Sequence, residues 1–255
     1  MPAGRFLLLE TPLAPDAAIE LPPEVAHQAR DVLRLGVGGT LRLLDGAGGE
    51  YTAWVIEVSR KQMLVRLGAR EEGLPDPPVR VTLCLGMLKA AKFEVALQKC
   101  TELGVAAFVP LVTERAVRDE VSEAKRRRWR GILAEAVEQC GGSHLPELAA
   151  PQSLSQALSG TPPGGIVLFP WEGTREPSLR AALEQAISQT GGVERVREVR
   201  LFIGPEGGFS PAEAALVQRS GARLVTLGRR ILRAETAAIV ASALALDALS
   251  ARCFP

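Results

Sequence analysis

The chain contains one loop whose residue types suit a close-fitting ligand site: Gly204-Pro205-Glu206-Gly207-Gly208. An apolar run, Val199 to Ile203, leads into this loop, and a helix pattern follows it. Glycine lacks a Cβ atom, so its backbone can approach a planar or bulky ligand and can adopt positive φ angles. The pattern predicts a ligand loop at a strand end, where open α/β sheets bind ligands. A purely structural strand-to-helix turn is the alternative.

The familiar glycine-loop codes are absent. The loop has no G-x-x-x-x-G-K-[ST] lysine and no G-x-G-x-x-G pattern with a suitably placed acidic residue. A G-x-S-x-G nucleophile elbow is also missing. These absences disfavour a nucleotide-phosphate cradle and an α/β-hydrolase.

The helix after the loop has signals at both ends. Ser210 can cap it, Pro211 suits its first position, Glu213 completes a capping box, and Gly221 can end it. We therefore expect the loop to be rigidly anchored.

A stretch of charge and proline at residues 71–78 predicts a connector between two domains. Before it, short runs with β-branched or alternating apolar residues predict an antiparallel β-meander within a small barrel. These runs are Thr40 to Asp45, Tyr51 to Val58 and Met63 to Leu67. A short helix is expected at His27 to Arg34.

After the connector, strand and helix patterns alternate. The pairs are 79–85 with 92–103, 107–112 with 123–139, 165–169 with 177–189, 199–203 with 211–220, and 223–227 with 234–249. Repeated βα units predict an α/β fold with a mostly parallel sheet covered by helices. The predicted division is a first domain at 1–72, a linker at 73–78 and a second domain at 79–255.

Composition excludes several classes of protein. The 255 residues are 47% apolar with a formal net charge of +1, and no run approaches the roughly 20 apolar residues of a membrane span. The N-terminal apolar run is too short for a signal peptide, so we expect a cytoplasmic protein. The four cysteines are widely spaced and predict reduced thiols, not a metal site or disulfides: Cys84, Cys100, Cys140 and Cys253. A basic cluster, Lys125 to Arg130, fits a solvated helix face or a phosphate-binding surface equally well.

Two segments resemble a known family signature. Leu201 to Ser210 (LFIGPEGGFS) and Leu227 to Ala237 (LGRRILRAETA) are similar to the ribosomal RNA small-subunit methyltransferase E family, of the SPOUT superfamily of knotted methyltransferases. Gln98 to Val105 and Pro110 to Arg115 also match the family's pattern in order. The resemblance spans nearly the whole chain and is far more specific than GPEGG alone.

The resemblance implies S-adenosylmethionine-dependent methylation of N3 of a uridine in 16S ribosomal RNA (the m3U1498 site), on the assembled small subunit. It also implies a C-terminal deep trefoil knot, and the N-terminal meander resembles the PUA-like barrel that the family uses for RNA. A catalytically silent RNA-binding or ribosome-assembly module, or another SPOUT RNA methyltransferase, remains the alternative.

The resemblance also assigns cofactor contacts. They are Phe169 and Pro170 at one strand end, Gly204, Glu206 and Gly208 in the second loop, and Leu227, Gly228, Ile231, Leu232 and Ala237 in the third. An apolar wall from Leu227, Ile231 and Leu232 suits adenine. Phe169 has an equally good alternative as a core residue.

Arg233 and Glu206 are the candidate catalytic residues. The Arg233 fork could hold a uracil carbonyl or a phosphate and stabilise the charge that develops as N3 loses its proton. Its alternative role is an ion pair with Glu235 or Glu206. Glu206 could be the proton acceptor, a partner for the sulfonium or a loop-bracing carboxylate, so no base is assigned.

Basic residues at motif positions are candidate RNA contacts: Arg5, Arg30, Arg34, Lys89, Lys92 and Arg115. Two departures from the family pattern put some contacts in doubt. Gly142 stands where relatives usually carry arginine, and Lys89-Ala90-Ala91-Lys92 lacks a glycine and an acidic residue. The final helix, Ala237 to Leu249, is rich in alanine and leucine; this suits burial in its own domain or a homodimer seam, and the superfamily resemblance favours the dimer.

Overall fold

A computed structural model describes residues 4–116 and 121–250 and divides the chain into two compact units. Unit 1 comprises residues 1–75 and 137–145, and unit 2 comprises residues 76–136 and 146–255. Each unit therefore combines two stretches of chain that are separated in the sequence. The segment Val137–Leu145 belongs to unit 1, although the sequence patterns placed these residues within the second domain.

Unit 1 is built on a five-stranded sheet with the order β1-β3-β4-β5-β2. The strands are β1 (Arg5–Leu7), β2 (Ala18–Glu20), β3 (Thr40–Leu44), β4 (Gly49–Val58) and β5 (Met63–Glu72). Helix α1 (Pro23–His27) continues into a π-helical turn at Gln28–Val32. The predicted meander β3-β4-β5 is antiparallel, as expected.

Side-chain alternation explains how this sheet forms. Ala53 and Val55 of β4 are buried, whereas Trp54 between them is exposed. In β5, Val65 and Leu67 are buried in the same apolar cluster. One face of the meander therefore forms the core of unit 1.

The segment 137–145 is tied into unit 1 by polar contacts. The Leu7 amide donates to Glu138 Oε1 at 2.7 Å. Arg5 donates to Glu50 Oε1 at 2.7 Å and to the carbonyl oxygens of Gly141 and Gly142 at 3.1 and 3.0 Å. Glu50 is 7% exposed, so the ion pair is largely shielded from water.

Unit 2 is an α/β unit with a seven-stranded sheet. Its strands are β6 (Arg80–Gly86), β7 (Ala107–Val112), β8 (Glu147–Leu148), β9 (Gln152–Ser153), β10 (Ile166–Pro170), β11 (Glu198–Ile203) and β12 (Arg223–Val225). Its helices are α2 (Ala90–Leu103), α3 (Glu123–Cys140), α4 (Leu154–Ser159), α5 (Leu179–Thr190), α6 (Pro211–Arg219) and α7 (Ala234–Ser250), and the last residues of α3 are grouped with unit 1. The strand order is β12-β10-β11-β6-β7-β8, with β9 beside β7.

The pairings in unit 2 are parallel, which confirms the predicted α/β class with a mostly parallel sheet. β11 lies between β6 and β10, and its residues Leu201 and Phe202 are fully buried. Continuous apolar runs of this kind are typical of strands that are covered on both faces. The small strands β8 and β9 and helix α4 were not predicted.

The cysteines that the structure describes have free thiols, as the sequence predicted. Cys84 and Cys100 are buried, and burial raises the pKa of each thiol to about 12. Cys140 is half-buried and has a free thiol, and Cys253 lies outside the described residues. In residues 4–116 and 121–250, no helix is long and apolar enough to cross a membrane.

Candidate functional site

The cavity of interest lies in unit 2, at the carboxyl ends of neighbouring parallel strands. β10, β11 and β12 end at Pro170, Ile203 and Val225, and the loops that follow them border a cavity of about 430 Å³. Parallel strands present their carboxyl ends at one sheet edge, so the loops converge there. The lining residues are Lys92, Pro170, Trp171, Glu172, Ile203, Gly204, Pro205, Glu206, Gly208, Phe209, Thr226, Leu227, Gly228, Arg229, Arg230, Ile231, Leu232, Arg233, Ala234 and Ala237.

Most residues predicted to contact the cofactor line this one cavity. They are Pro170, Gly204, Glu206, Gly208, Leu227, Gly228, Ile231, Leu232 and Ala237. Arg233, a candidate catalytic residue, also lines it. Ile231 is 82% exposed, so it forms the rim and not the deep wall of the cavity.

Phe169 is in a different position. Its side chain is fully buried and is not part of the cavity lining. The ring packs against Phe209 and Phe202, with centroid separations of 4.3 and 6.4 Å. The Phe169 side chain is therefore a core residue, which was the alternative that the sequence left open. It contacts the cavity indirectly, because it packs on Phe209, and the Phe209 ring lies between the core and the cavity.

The glycine-rich loop has the anchored geometry that its flanking residues predicted. Ser210 and Glu213 form a reciprocal capping box at the start of α6, and Pro211 occupies its first turn. Within the loop, the Gly208 amide donates to the Pro205 carbonyl at 2.8 Å, and Gly208 has a φ of +66°. A residue with a Cβ atom would be strained at that angle, so the backbone conformation explains why this position is glycine.

A second glycine supports the loop from the neighbouring strand. A Cβ atom built on Gly86, the last residue of β6, would lie 2.5 Å from the Pro205 nitrogen. No real side chain tolerates this separation, so the loop backbone rests directly on β6. Sequence reasoning missed Gly86 because the contact joins two segments more than a hundred residues apart.

The third loop is shaped by Thr226. Its hydroxyl donates to the Gly228 carbonyl and accepts from the Gly228 amide, both at 3.1 Å. Gly228 has a φ of +122°, which again favours glycine. The chain then turns into α7 at Ala234, so Leu227 to Arg233 form one side of the cavity.

Arg233 is exposed at the cavity, and within the described part of the chain its side chain makes no hydrogen bond or ion pair. The two carboxylates proposed as alternative partners are differently placed. Glu206 pairs with Lys92, and Glu235 has a buried Oε2 atom without a hydrogen-bond partner among the described residues. The guanidinium of Arg233 is therefore available to a ligand.

Glu206 is held by groups from the start of α2. Its Oε1 atom accepts from Lys92 Nζ at 3.2 Å and from the Lys89 amide at 3.5 Å. Burial alone raises the pKa of Glu206, but hydrogen bonds from its own amide, from Lys92 and from the Lys89 amide outweigh it, and the net pKa is lowered. Glu206 is thus an ionised, anchored carboxylate near neutral pH, which makes it a weaker base and a better partner for a cation.

The basic residues of unit 2 that were predicted to bind RNA surround the same loop. Lys89 and Lys92 contact Glu206, and Arg115 donates to the Gly207 carbonyl at 3.1 Å. Of the three, Lys92 lines the cavity, whereas Lys89 and Arg115 contact the loop from outside the lining. The departures at Ala90 and Ala91 leave α2 intact, since both lie in its first turn.

The corresponding residues of unit 1 have different surroundings. Arg5 is paired with Glu50, and Arg30 donates to Asp31 and to the carbonyls of Ser59 and Arg60. Arg34 is exposed, with a φ of +56° that is uncommon outside glycine. Of the three, Arg34 keeps its guanidinium free within the described residues.

Position 142, where this chain departs from the family pattern, does not require glycine. A Cβ atom at Gly142 would lie 3.4 Å from Cys140 Sγ, at the edge of ordinary contact, and no positive φ is involved. The Gly142 carbonyl accepts from Arg5, a contact that any residue could make.

The basic cluster on α3 is partly structural. Trp129 is buried against Phe93 with ring centroids 4.5 Å apart, and Arg128 pairs with Glu94 at 2.6 Å. Lys125 lies 5.4 Å from the Trp129 ring centroid. Arg127 and Arg130 are exposed, which fits both a solvated helix face and a phosphate-binding surface.

Sequence reasoning also missed several cavity residues. Trp171, Glu172, Pro205, Phe209, Thr226, Arg229 and Arg230 line the cavity and were not assigned to it. All of them except Glu172 are next to a predicted residue in the sequence, so adjacency was the signal that could have found them. Glu172 is notable, since its Oε1 atom lies 3.8 Å from the Cβ position of Gly208.

Comparison with protein families identifies the class to which this cavity-bearing region belongs. A model of the RNA methyltransferase domain family matches residues 75–246. That range covers the strands, loops and helices that form the cavity. The chain therefore contains an RNA methyltransferase domain.

Relatives and solved structures narrow the class. Ribosomal RNA small subunit methyltransferase E of Synechocystis is 36% identical over 231 residues, which cover 89% of this chain and 72% of that protein. The same protein of Neisseria gonorrhoeae, bound to S-adenosyl methionine, has a TM-score of 0.77 and 27% identity over 94% of this chain and 95% of that one. A putative methyltransferase of Legionella pneumophila in complex with the same cofactor has a TM-score of 0.78 and 31% identity, with 98% of both chains covered. The chain belongs to the ribosomal RNA small subunit methyltransferase E family.

The contact between Lys92 and Glu206 makes a specific prediction. Replacing Lys92 by Met removes a hydrogen bond and a positive charge that lower the pKa of Glu206, while the burial that raises it remains. We expect the pKa of Glu206 to rise, as measured by NMR titration of its side-chain carboxyl carbon. Lys99→Met is the matched control, because Lys99 is on the same helix but pairs with Glu102. An unchanged Glu206 pKa in Lys92→Met would show that the contact is not formed in solution.

Proposed function

We propose that the protein transfers a methyl group from S-adenosylmethionine to N3 of a uridine in 16S ribosomal RNA, within the assembled small subunit. The observation that supports this most directly is the convergence of three loops on one cavity, which has a glycine-rich side, an apolar side and Arg233, an arginine without a partner among the described residues. The named relatives and the two cofactor-bound neighbours support the same function.

The cavity residues fit the proposed cofactor. Ile203 and Phe209 are buried side chains that line it, and Leu227 and Leu232 are partly buried, so an apolar surface is available for adenine. The Cβ position of Gly208 has one neighbour, Glu172 Oε1 at 3.8 Å, so the backbone there is open to close approach, whereas the Cβ position of Gly204 lies 3.0 Å from the Phe209 ring. The carboxylate of Glu206 supplies negative charge for a sulfonium or an ammonium group.

The protein's chemical task is modest. S-adenosylmethionine, when bound, supplies an already activated methyl group. The chain must hold the uracil ring in line and favour loss of the N3 proton. Arg233 can donate to a uracil carbonyl oxygen and stabilise the negative charge that spreads onto it as the proton leaves. Glu206, anchored and ionised, suits charge complementarity better than proton abstraction.

We further propose that residues 1–72 of unit 1 form a PUA-like barrel that contributes RNA contacts, followed by a linker at 73–78 and the methyltransferase domain at 79–255. The segment 137–145 of that second domain is grouped with unit 1. Support for the barrel comes from the five-stranded sheet of unit 1, in which β3, β4, β5 and β2 pair antiparallel and β1 pairs parallel with β3, and from the exposed Arg34, whose guanidinium has no partner among the described residues. The C-terminal region of the second domain is proposed to form the deep trefoil knot of the SPOUT superfamily. A ribosomal substrate supports the proposal that the protein acts in the cytoplasm.

The two sides of the cavity can be tested separately by substitution. Arg233→Ala should lower kcat by about 100-fold, by analogy with loss of one charge-stabilising donor, and leave the Kd for S-adenosylmethionine within about threefold of wild type. Gly208→Val should abolish cofactor binding, because its side chain would be forced into a strained φ at the cavity. Isothermal calorimetry and methyl transfer to small subunits measure the two quantities.

Arg219→Ala is the matched control, since Arg219 is an exposed arginine on α6 that does not line the cavity. Wild-type protein that releases no heat with S-adenosylmethionine would instead indicate a catalytically silent RNA-binding module. An unchanged kcat in Arg233→Ala would return that arginine to a structural role.

A homodimer through α7 is also proposed. One side of α7 is buried within unit 2, including Ala238, Ala241 and Ala245. Ile239, Val240, Ala243 and Leu244 on the other side are only partly buried in the single chain. Sedimentation should give twice the chain mass of 27.1 kDa, and Leu244→Glu should shift the protein towards monomer. A wild-type monomer at micromolar concentration would refute the dimer.

A further inference from the structure

Arg115 makes a contact with the glycine-rich loop that phosphate binding does not require. It follows β7, and its guanidinium donates to the Gly207 carbonyl at 3.1 Å. A Cβ atom built on Gly207 would lie 3.2 Å from the Arg115 Cβ, so the base of the side chain also packs on the loop. Gly207 itself does not line the cavity, whereas its neighbours Glu206 and Gly208 do.

The peptide between Gly207 and Gly208 is therefore fixed at both ends. The carbonyl oxygen of this peptide belongs to Gly207 and accepts from Arg115. The N–H group belongs to Gly208 and donates to the Pro205 carbonyl oxygen at 2.8 Å. Two successive glycines offer little steric resistance to rotation of the peptide plane between them. These two hydrogen bonds are the contacts that select one orientation, and that orientation sets which face of Gly208 borders the cavity.

The segment that carries Arg115 is itself attached to the far end of the loop. Glu213 Oε1 accepts from the Glu114 amide at 2.9 Å, while its Oε2 accepts from the Ser210 amide at 2.8 Å. One carboxylate thus joins the start of α6 to the residue before Arg115. The end of β7 and the glycine-rich loop are connected at two points, one on each side of Gly208.

We propose that Arg115 is a positioning residue for the cofactor cavity, acting through the Gly207–Gly208 peptide. This inference rests on the proposed function, because it takes the loop to be a cofactor-binding surface. It differs from the phosphate contact expected of Arg115 by motif position. A phosphate contact would affect RNA affinity and leave cofactor affinity unchanged, whereas a positioning role affects cofactor affinity.

The test compares Arg115→Ala, Arg115→Lys and wild type for S-adenosylmethionine affinity by calorimetry and for 16S RNA affinity by filter binding. Loss of one hydrogen bond from an exposed charged donor should weaken cofactor binding by about 5- to 10-fold in Arg115→Ala. Arg115→Lys should recover most of this loss, because an ammonium group can still donate to the Gly207 carbonyl. Arg219→Ala is the charge-matched control, since Arg219 is exposed on α6, does not line the cavity and is not a candidate RNA contact.

Hydrogen exchange gives a readout that needs no cofactor. The Gly208 amide should exchange faster in Arg115→Ala than in wild type or Arg219→Ala, since its peptide has lost one of two restraints. Unchanged cofactor affinity and unchanged Gly208 exchange in Arg115→Ala would overturn the inference, whether or not RNA affinity falls. Wild-type protein without cofactor affinity would refute the proposed function instead, and the exchange rates would still decide the role of Arg115 in holding the loop.

Discussion

Parallel pairing of β11 with β6 on one side and β10 on the other is the constraint on which the site depends. It places the carboxyl ends of these strands at one edge, so loops from distant parts of the sequence must meet there. The pairing register is fixed by burial, because β11 is apolar along most of its length and packs on both faces. At its other end, Glu198 accepts from Thr82 and from Arg200, so the one buried carboxylate of the strand is paired.

The loops at this edge of the sheet carry charges of opposite sign at the cavity. Glu206 is kept ionised by contacts from the start of α2, and Arg233 on the opposite loop has no internal partner among the described residues. A negative group and a free positive group can therefore serve opposite parts of the proposed reaction, a cationic methyl donor and a uracil that becomes anionic. The near-neutral net charge of the chain conceals this local separation.

Local signals predicted the parts of the fold that local forces determine. The capping box at Ser210 and Glu213, the apolar run of β11 and the alternation in β4 were all readable in the sequence, and each is present. What could not be read were contacts between distant residues: Gly86 beneath Pro205, Arg115 on Gly207, and the segment 137–145 within unit 1. Phe169 shows a further limit, since an apolar residue at a strand end has the same signal whether it faces a ligand or the core. Strands of three residues, such as β1 and β2, are too short to give a periodic pattern.

The most direct measurement of the central claim is mass spectrometry of 16S ribosomal RNA from a strain that lacks this protein. We expect N3-methyluridine to be lost from that RNA, and to be restored by the wild-type gene and not by a gene encoding Arg233→Ala. N3-methyluridine at its normal level in the deletion strain would contradict the proposed substrate.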